Sequence, residues 1–125
     1  MTKKMMINGV TVLFLLFIAF IIFAANTGMN LMFFRVIGAI PMGDKVAHMT
    51  LVGTMAFLVN LSLKNRTFER YHLTLLVGST IVFCGITVEE FSQIWITNRT
   101  FDLIDLTFNY IGVFIASWFN LKLKY

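Results

Sequence analysis

Charged residues and cysteine are both scarce in this chain of 125 residues. Only 13% of the residues are charged and 58% are hydrophobic, whereas a soluble domain has about 25% charged and about 45–50% apolar residues. So little charge cannot cover a water-facing surface, which excludes an ordinary soluble enzyme, a disordered tail and a nucleic-acid-binding module. The single cysteine, Cys84, excludes a disulfide framework and a multi-thiolate metal site. With a mean hydropathy of +0.84, the chain is predicted to be one membrane domain, residues 1–125.

Four long apolar stretches, separated by short charged segments, dominate what is present. They cover about residues 6–25, 46–63, 71–96 and 103–121, each near the ~20 residues with which a helix crosses ~30 Å of hydrocarbon. Backbone polar groups in lipid must be bonded within their own segment, so each stretch is expected to be a helix. The sequence therefore predicts an all-α integral membrane bundle of four transmembrane helices. The first stretch is longer than the apolar core of a signal peptide, so we expect an anchor rather than a cleaved leader.

The distribution of positive charge predicts the orientation of this bundle. One side carries seven cations, Lys3, Lys4, Lys64, Arg66, Arg70, Lys122 and Lys124, and the other carries three, Arg35, Lys45 and Arg99. Because Lys and Arg concentrate in cytoplasmic loops, we expect both termini in the cytoplasm and the loops 26–45 and 97–102 outside. The outer segment 26–43 is itself apolar, and we expect it to lie along the membrane interface or to dip back into the bundle.

Three groups of polar residues fall near the outer ends of the predicted helices. The groups are Asp44, Lys45 and His48 before and within the second helix, Glu89, Glu90 and Gln93 late in the third, and Arg99, Asp102, Asp105 and Asn109 leading into the fourth. At about 1.5 Å of rise per residue, all three groups lie at one level and can meet in one site. One face of the predicted fourth helix carries Asp105, Asn109 and Gly112. Its side chains become smaller toward the middle of the helix, as is typical of helix interfaces in membranes.

The chemistry of this polar cluster has several interpretations on spacing alone. An ionisable residue at bilayer depth is costly and is a candidate functional residue. The same side chains could instead form a network that only fixes packing, with His48 between carboxylates and Arg99 paired to Asp102 or Asp105. One imidazole and five carboxylates could bind a divalent metal. Alternatively, Lys45 and Arg99 could receive a phosphate-bearing lipid headgroup, with His48 or a carboxylate moving protons.

The same residues form three motifs in a fixed order. They are D-K-x-x-H at Asp44–His48, E-x-x-Q at Glu90–Gln93, and R-x-x-D-x-x-D-x-x-x-N-x-x-G from Arg99 to Gly112. In this the chain resembles the VanZ-like family, which carries these three motifs, over residues 44–112. The resemblance implies a small bacterial multi-pass membrane protein of a family whose named member is associated with resistance to teicoplanin and related lipoglycopeptides. The resemblance therefore implies a resistance phenotype and identifies no chemical reaction.

The motif residues coincide with the polar cluster, and this agreement favours a working site. We expect the site to face the extracytoplasmic side of a bacterial cytoplasmic membrane and to bind or act on a lipid-linked envelope precursor or a lipoglycopeptide. The candidate catalytic residues are His48, Glu90 and Asp105, and the candidate ligand-binding residues are Asp44, Lys45, Gln93, Arg99, Asp102 and Asn109. The alternatives are a small enzyme doing acid–base or metal-assisted chemistry on lipid headgroups, and a structural or partner-binding module that could form a homo-oligomer.

Overall fold

The computed structural model describes residues 2–123, which form five α-helices and one two-stranded sheet. The helices are α1 (Lys3–Asn26), α2 (Met32–Ala39), α3 (Gly43–Ser62), α4 (Val77–Ser92) and α5 (Leu103–Lys122), and the strands are β1 (Thr67–Arg70) and β2 (Leu73–Leu76). The chain is therefore mostly helical, as predicted, with a small sheet that was not predicted. Lys124, one of the seven cations assigned to the cytoplasmic side, lies outside the described residues.

Helix α3 is the centre of the fold, because α1, α2, α4 and α5 all pack against it. Its closest partner is α5, where Gly53 faces Gly112 and a Cβ added at Gly112 would collide with the carbonyl oxygen of Met49. The two backbones therefore touch with no side chain between them, as small residues allow in membrane helix pairs. The predicted interface stripe on α5 is confirmed, since Asn109 and Ala116 are buried on the same face. The apolar core beside this contact comprises Val52, Ala56, Val82, Ile86, Val113 and Ala116.

A buried amide network joins α3, α4 and α5 at the end of the bundle opposite the predicted site. Asn60 Nδ2 donates to Ser79 Oγ at 2.7 Å and to Asn120 Oδ1 at 2.9 Å, while Asn60 Oδ1 accepts from the Ser79 backbone N–H at 2.8 Å. The Asn60 and Asn120 side chains are fully buried. Gly78 permits this approach, because a Cβ there would collide with Asn60 Oδ1. Buried groups satisfied in this way fix one register between helices.

The predicted third span, residues 71–96, is wrong at its beginning. Strands β1 and β2 pair antiparallel with Arg70 opposite Leu73, so Tyr71 and His72 form a two-residue turn. Their φ angles are 51° and 63°, a turn geometry that usually carries Asn-Gly. Tyr-His gives no such signal, and the apolar residues of β2 continue into α4 without a polar break. Hydropathy could therefore not separate the strand from the helix.

Helix α4 is consequently shorter than the predicted span. It has 16 residues and so rises about 24 Å at about 1.5 Å per residue. A 3₁₀ turn, Gln93–Trp95, continues the chain beyond its end. Glu90 therefore lies about 20 Å from the start of its helix rather than the ~28 Å that a helix beginning at Tyr71 would give.

Among the described residues, α1 is the one helix long and apolar enough to cross a membrane by length and composition. Helices α3 and α5 have 20 residues each but carry more polar side chains than α1. Along its 24 residues α1 buries only Thr11 and Ala24. Large apolar side chains such as Leu13, Leu16 and Phe23 stay exposed on its surface. The arrangement of four membrane spans thus stays a prediction.

The predicted apolar segment 26–43 contains a helix of its own. Helix α2 has eight residues and packs on α3. It leaves Met32 and Val36 exposed, while Phe34 and Ile37 are half-buried. An exposed apolar helix at the end of the bundle is consistent with a segment lying along an interface, and that position stays a prediction.

We expect Gly112→Ala to destabilise the fold, because the new methyl group would meet the backbone of Met49 on α3. Overpacking of this kind typically costs about 1–3 kcal/mol. Gly9→Ala is the matched control, since a Cβ at Gly9 meets no atom within 4 Å. Thermal unfolding in detergent should show a lower midpoint for Gly112→Ala only. Equal midpoints for the two variants would contradict a backbone contact at this crossing.

Candidate functional site

Lys45 at the start of α3 binds three aspartates. Its Nζ lies 3.0 Å from Asp105 Oδ1 and 3.4 Å from both Asp102 Oδ2 and Asp44 Oδ2. The side chains of Lys45 and Asp105 are only 15% and 13% exposed, and charges attract more strongly where water is excluded. The Lys45 ammonium therefore holds the first turns of α3 and α5 together.

Arg99 belongs to a second group of charges. Its Nη1 lies 3.2 Å from Glu89 Oε1 and donates to Asn26 Oδ1 at 2.7 Å. The alternative in which Arg99 pairs with Asp102 or Asp105 is therefore not found. Lys45 occupies those two aspartates from α3, and Glu89, the acid next to the motif glutamate, takes Arg99 instead.

Glu90 connects the two groups of charges. Its side chain is fully buried, and its Oε2 accepts from Gln93 Nε2 at 3.2 Å. Its Oε1 accepts from the backbone N–H of Asp102 at 3.3 Å. Gln93 Nε2 also lies 3.1 Å from Glu89 Oε2. One hydrogen-bonded network thus runs from α3 through the α4–α5 connection to the end of α1.

Asp102 is the N-cap of α5. Its Oδ1 accepts from the backbone N–H of Ile104 at 2.8 Å, which satisfies one of the free donors at a helix start. This hydrogen bond is the main cause that places the pKa of Asp102 below its usual value, and the nearby Lys45 ammonium adds to it. Asp102 therefore stays ionised beside Lys45 over the whole neutral range.

A cavity of about 890 Å³ lies between α1 and α4, over one face of α3. The polar end of its wall is formed by His48, Glu89, Gln93, Arg99, Asp105 and Asn109. Most of the remaining wall is apolar, with Leu15, Ile18, Ile22, Met55, Val59 and Ile81 among its residues. The Oδ1 of Asn109 is buried and has no hydrogen-bond partner among residues 2–123. The cavity therefore has a polar end and a long apolar end.

The polar end is closed by the segment that follows α1. Asn98 Nδ2 donates to the carbonyl oxygen of Asn26 at 3.0 Å. Gly28, at φ 74°, brings the chain so close that a Cβ there would lie 3.1 Å from the Asn98 side chain. Met29 and Phe34 then contribute to the cavity wall. Part of the apolar segment 26–43 thus covers the polar end.

The nine predicted site residues fall into two sets. Those on the cavity wall are His48, Gln93, Arg99, Asp105 and Asn109. Those in the network behind it are Asp44, Lys45, Glu90 and Asp102. Asn26 and Asn98, which close the polar end, belong to no motif and are not among the predicted site residues. An uncharged asparagine in a connecting segment carries no pattern that would have marked it.

The His, Cys, Asp and Glu side chains of the described residues are not arranged as a metal site. In the part of the chain that the structure describes, no group of three or more His, Cys, Asp or Glu side chains could hold a metal ion. The aspartates that come closest together, Asp44, Asp102 and Asp105, surround the ammonium of Lys45 instead. Lys45 supplies the countercharge that a divalent cation would otherwise provide.

The lowered pKa of Asp102 predicts that acid destabilises the fold. A carboxyl whose folded-state pKa is depressed stabilises the fold above its unfolded-state pKa, about 3.9 for Asp, and loses that contribution as the pH falls through its folded-state pKa. Asp102→Asn keeps a good N-cap but removes the titration. Below about pH 4, the midpoint of thermal unfolding should fall more steeply with pH for the parent than for Asp102→Asn. Parallel pH profiles of the two proteins would show that the ionisation of Asp102 does not contribute to the stability of the fold.

The comparisons with known proteins assign no family to this chain. No protein-family model, curated protein or solved structure matches it. The chemistry of the site therefore follows from the chain's own residues and their geometry.

Proposed function

We propose that this chain is a multi-pass membrane protein that binds an amphiphilic ligand in the cavity between α1 and α4. The headgroup contacts the polar end, and the acyl or alkyl chain lies along the apolar wall. The observation that carries the proposal is the continuity of the two surfaces in one cavity of about 890 Å³. Ligand cavities of proteins are mostly apolar with a few convergent polar groups, and commonly measure about 300–1,000 Å³.

The position of the cavity suits a ligand that enters from lipid. Helices α1 and α4 each pack on α3, and the cavity occupies the space between them. The outer surfaces of both helices expose large apolar side chains, including Leu13 and Phe23 on α1 and Phe83 and Val88 on α4. A monomeric soluble protein rarely exposes such extensive apolar surface. An amphiphile in the surrounding bilayer would therefore meet the cavity without passing through water.

The charges support an orientation with the polar end outside. At the opposite end of the bundle, Lys4 Nζ donates to the carbonyl oxygen of Ser62 at 2.7 Å, and the β-hairpin carries Arg70. Positive charges of this kind concentrate on the cytoplasmic side of membranes. We place α1, α3, α4 and α5 across a bacterial cytoplasmic membrane, with both termini inside. At the inner end, strand β2 directly precedes the short helix α4 and extends the chain beyond it.

The three motifs support a VanZ-like role. Their residues supply the polar end of the cavity and the network behind it, so the resemblance and the geometry converge on the same place. The ligand class that fits both is a lipid-linked envelope precursor or a lipoglycopeptide, each of which joins a long apolar chain to a polar headgroup. Binding of this kind would link the chain to teicoplanin resistance.

Filling the apolar part of the cavity should weaken binding without disturbing the polar network. Gly85 lines the cavity, and a Cβ there meets no atom within 4 Å, so Gly85→Phe adds bulk without a backbone clash. Three probes, octyl glucoside, octylammonium and octyl phosphate, are titrated calorimetrically into the parent and into Gly85→Phe in nanodiscs, each below its micelle concentration. Every probe that binds the parent should bind Gly85→Phe at least tenfold more weakly.

The matched control is Gly9→Phe, because Gly9 is equally open but lies outside the cavity wall. It should bind the probes as the parent does. Equal affinities of Gly85→Phe and the parent would overturn the proposal and would leave the polar cluster as a device that fixes helix packing.

The same two variants, together with His48→Ala at the polar end of the cavity, test the proposed role in a cell. Expression of the parent in a teicoplanin-susceptible bacterium should raise the minimal inhibitory concentration several-fold. Gly85→Phe and His48→Ala should lose this effect at equal membrane expression, whereas Gly9→Phe should keep it. Protection that persists in both cavity variants would separate the phenotype from the cavity.

A further inference from the structure

The two cations near the polar end of the cavity are already engaged by carboxylates. Lys45 Nζ is within 3.4 Å of three aspartates. Arg99 Nη1 contacts both Glu89 and Asn26. An anionic headgroup such as a phosphate would compete with these acids for the two cations, and it would lie beside the carboxylates of Glu89 and Asp105 on the cavity wall, which repel it.

Carboxylates also outnumber cations at this end. Five acids, Asp44, Glu89, Glu90, Asp102 and Asp105, accompany three bases, Lys45, Arg99 and the exposed Arg35 of α2. If the fully buried Glu90 is counted as neutral, four acids still face three bases. His48 is the remaining titratable group on the cavity wall. The field at the polar end therefore repels a further anion and attracts a cation.

The hydrogen-bonding groups of the wall point to the same kind of ligand. Asn109 is 2% exposed, lines the cavity, and has a side-chain oxygen with no partner among the described residues. A buried acceptor without a donor costs free energy, so a ligand that donates there gains correspondingly. The carboxylates of Glu89 and Asp105 on the same wall are also acceptors. An ammonium group offers three donors and no acceptor.

We propose that the cavity selects an amphiphile whose headgroup carries a protonated amine. The ammonium donates to Asn109 Oδ1 and lies near the carboxylates of Glu89 and Asp105, while the ligand's chain occupies the apolar wall. This inference rests on the proposed binding function and specifies the chemical class of the headgroup. An amino sugar or an aminoalkyl headgroup meets this requirement, and a bare phosphate ester does not.

Octyl probes with different headgroups test the selection while the chain is held constant. Titration of the parent in nanodiscs, with empty nanodiscs subtracted, should show octylammonium binding at least tenfold more tightly than octyl phosphate, and more tightly than octyl glucoside. Tighter binding of octyl phosphate, or equal binding of octyl glucoside and octylammonium, would overturn the inference while the binding function stands. Failure of all three probes to bind would overturn both.

Variants at Asn109 test the named acceptor. Asn109→Leu removes the acceptor at similar volume and should weaken octylammonium about tenfold, as expected for a hydrogen bond to a charged group, with little change for octyl phosphate. Asn109→Asp keeps the shape, adds negative charge and should increase the preference for octylammonium. Cys84→Ser is the control, because Cys84 is exposed on α4 and lies outside the cavity wall. If Asn109→Leu fails to fold, the comparison of headgroups on the parent still decides the inference, and unchanged preference in both Asn109 variants would overturn the role of this acceptor.

Discussion

The close contact between α3 and α5 at Gly53 and Gly112 is the constraint on which the rest of the molecule depends. Because no side chain separates the two backbones there, the helices run side by side over their whole length. At one end this brings Lys45 to Asp102 and Asp105. At the other end it brings Asn60 to Asn120. The polar network of the site and the buried amide network are two consequences of one glycine contact.

The cavity results from the packing of α1 and α4 on α3. Helix α4 is fixed at its start by the bonds between Ser79 and Asn60, and α1 is fixed by Thr11, which contacts Leu58 and Ser62 on α3. Each helix is thus attached to α3 rather than to the other, and the space between them stays open. The contact of Arg99 with Glu89 and with the end of α1 closes that space at one end only. A polar end and an apolar wall therefore belong to the same cavity.

Much of the site was predictable, because spacing reports which residues share a level and a helix face. The three polar groups do meet, and the stripe of Asn109 and Gly112 does face α3. The pairing of charges was not predictable. One alternative paired Arg99 with Asp102 or Asp105, yet Arg99 binds Glu89, because the choice among several carboxylates at one level depends on distances of a few ångströms. Asn60 and Asn120, sixty residues apart, carried no signal at all.

The sequence by itself determined that this chain is mostly helical, that its surface is apolar, and that the motif residues and five of its six acids gather at one end. These properties depend on composition and on local periodicity, which a single stretch of chain contains. Only the tertiary structure decided where the third helix begins, since the turn at Tyr71 and His72 interrupts an apolar run without any change in hydropathy. Only the tertiary structure decided that Lys45 and Arg99 are already neutralised and that the oxygen of Asn109 is left without a donor. Those outcomes depend on contacts between distant residues, and sequence spacing along one helix holds no information about them.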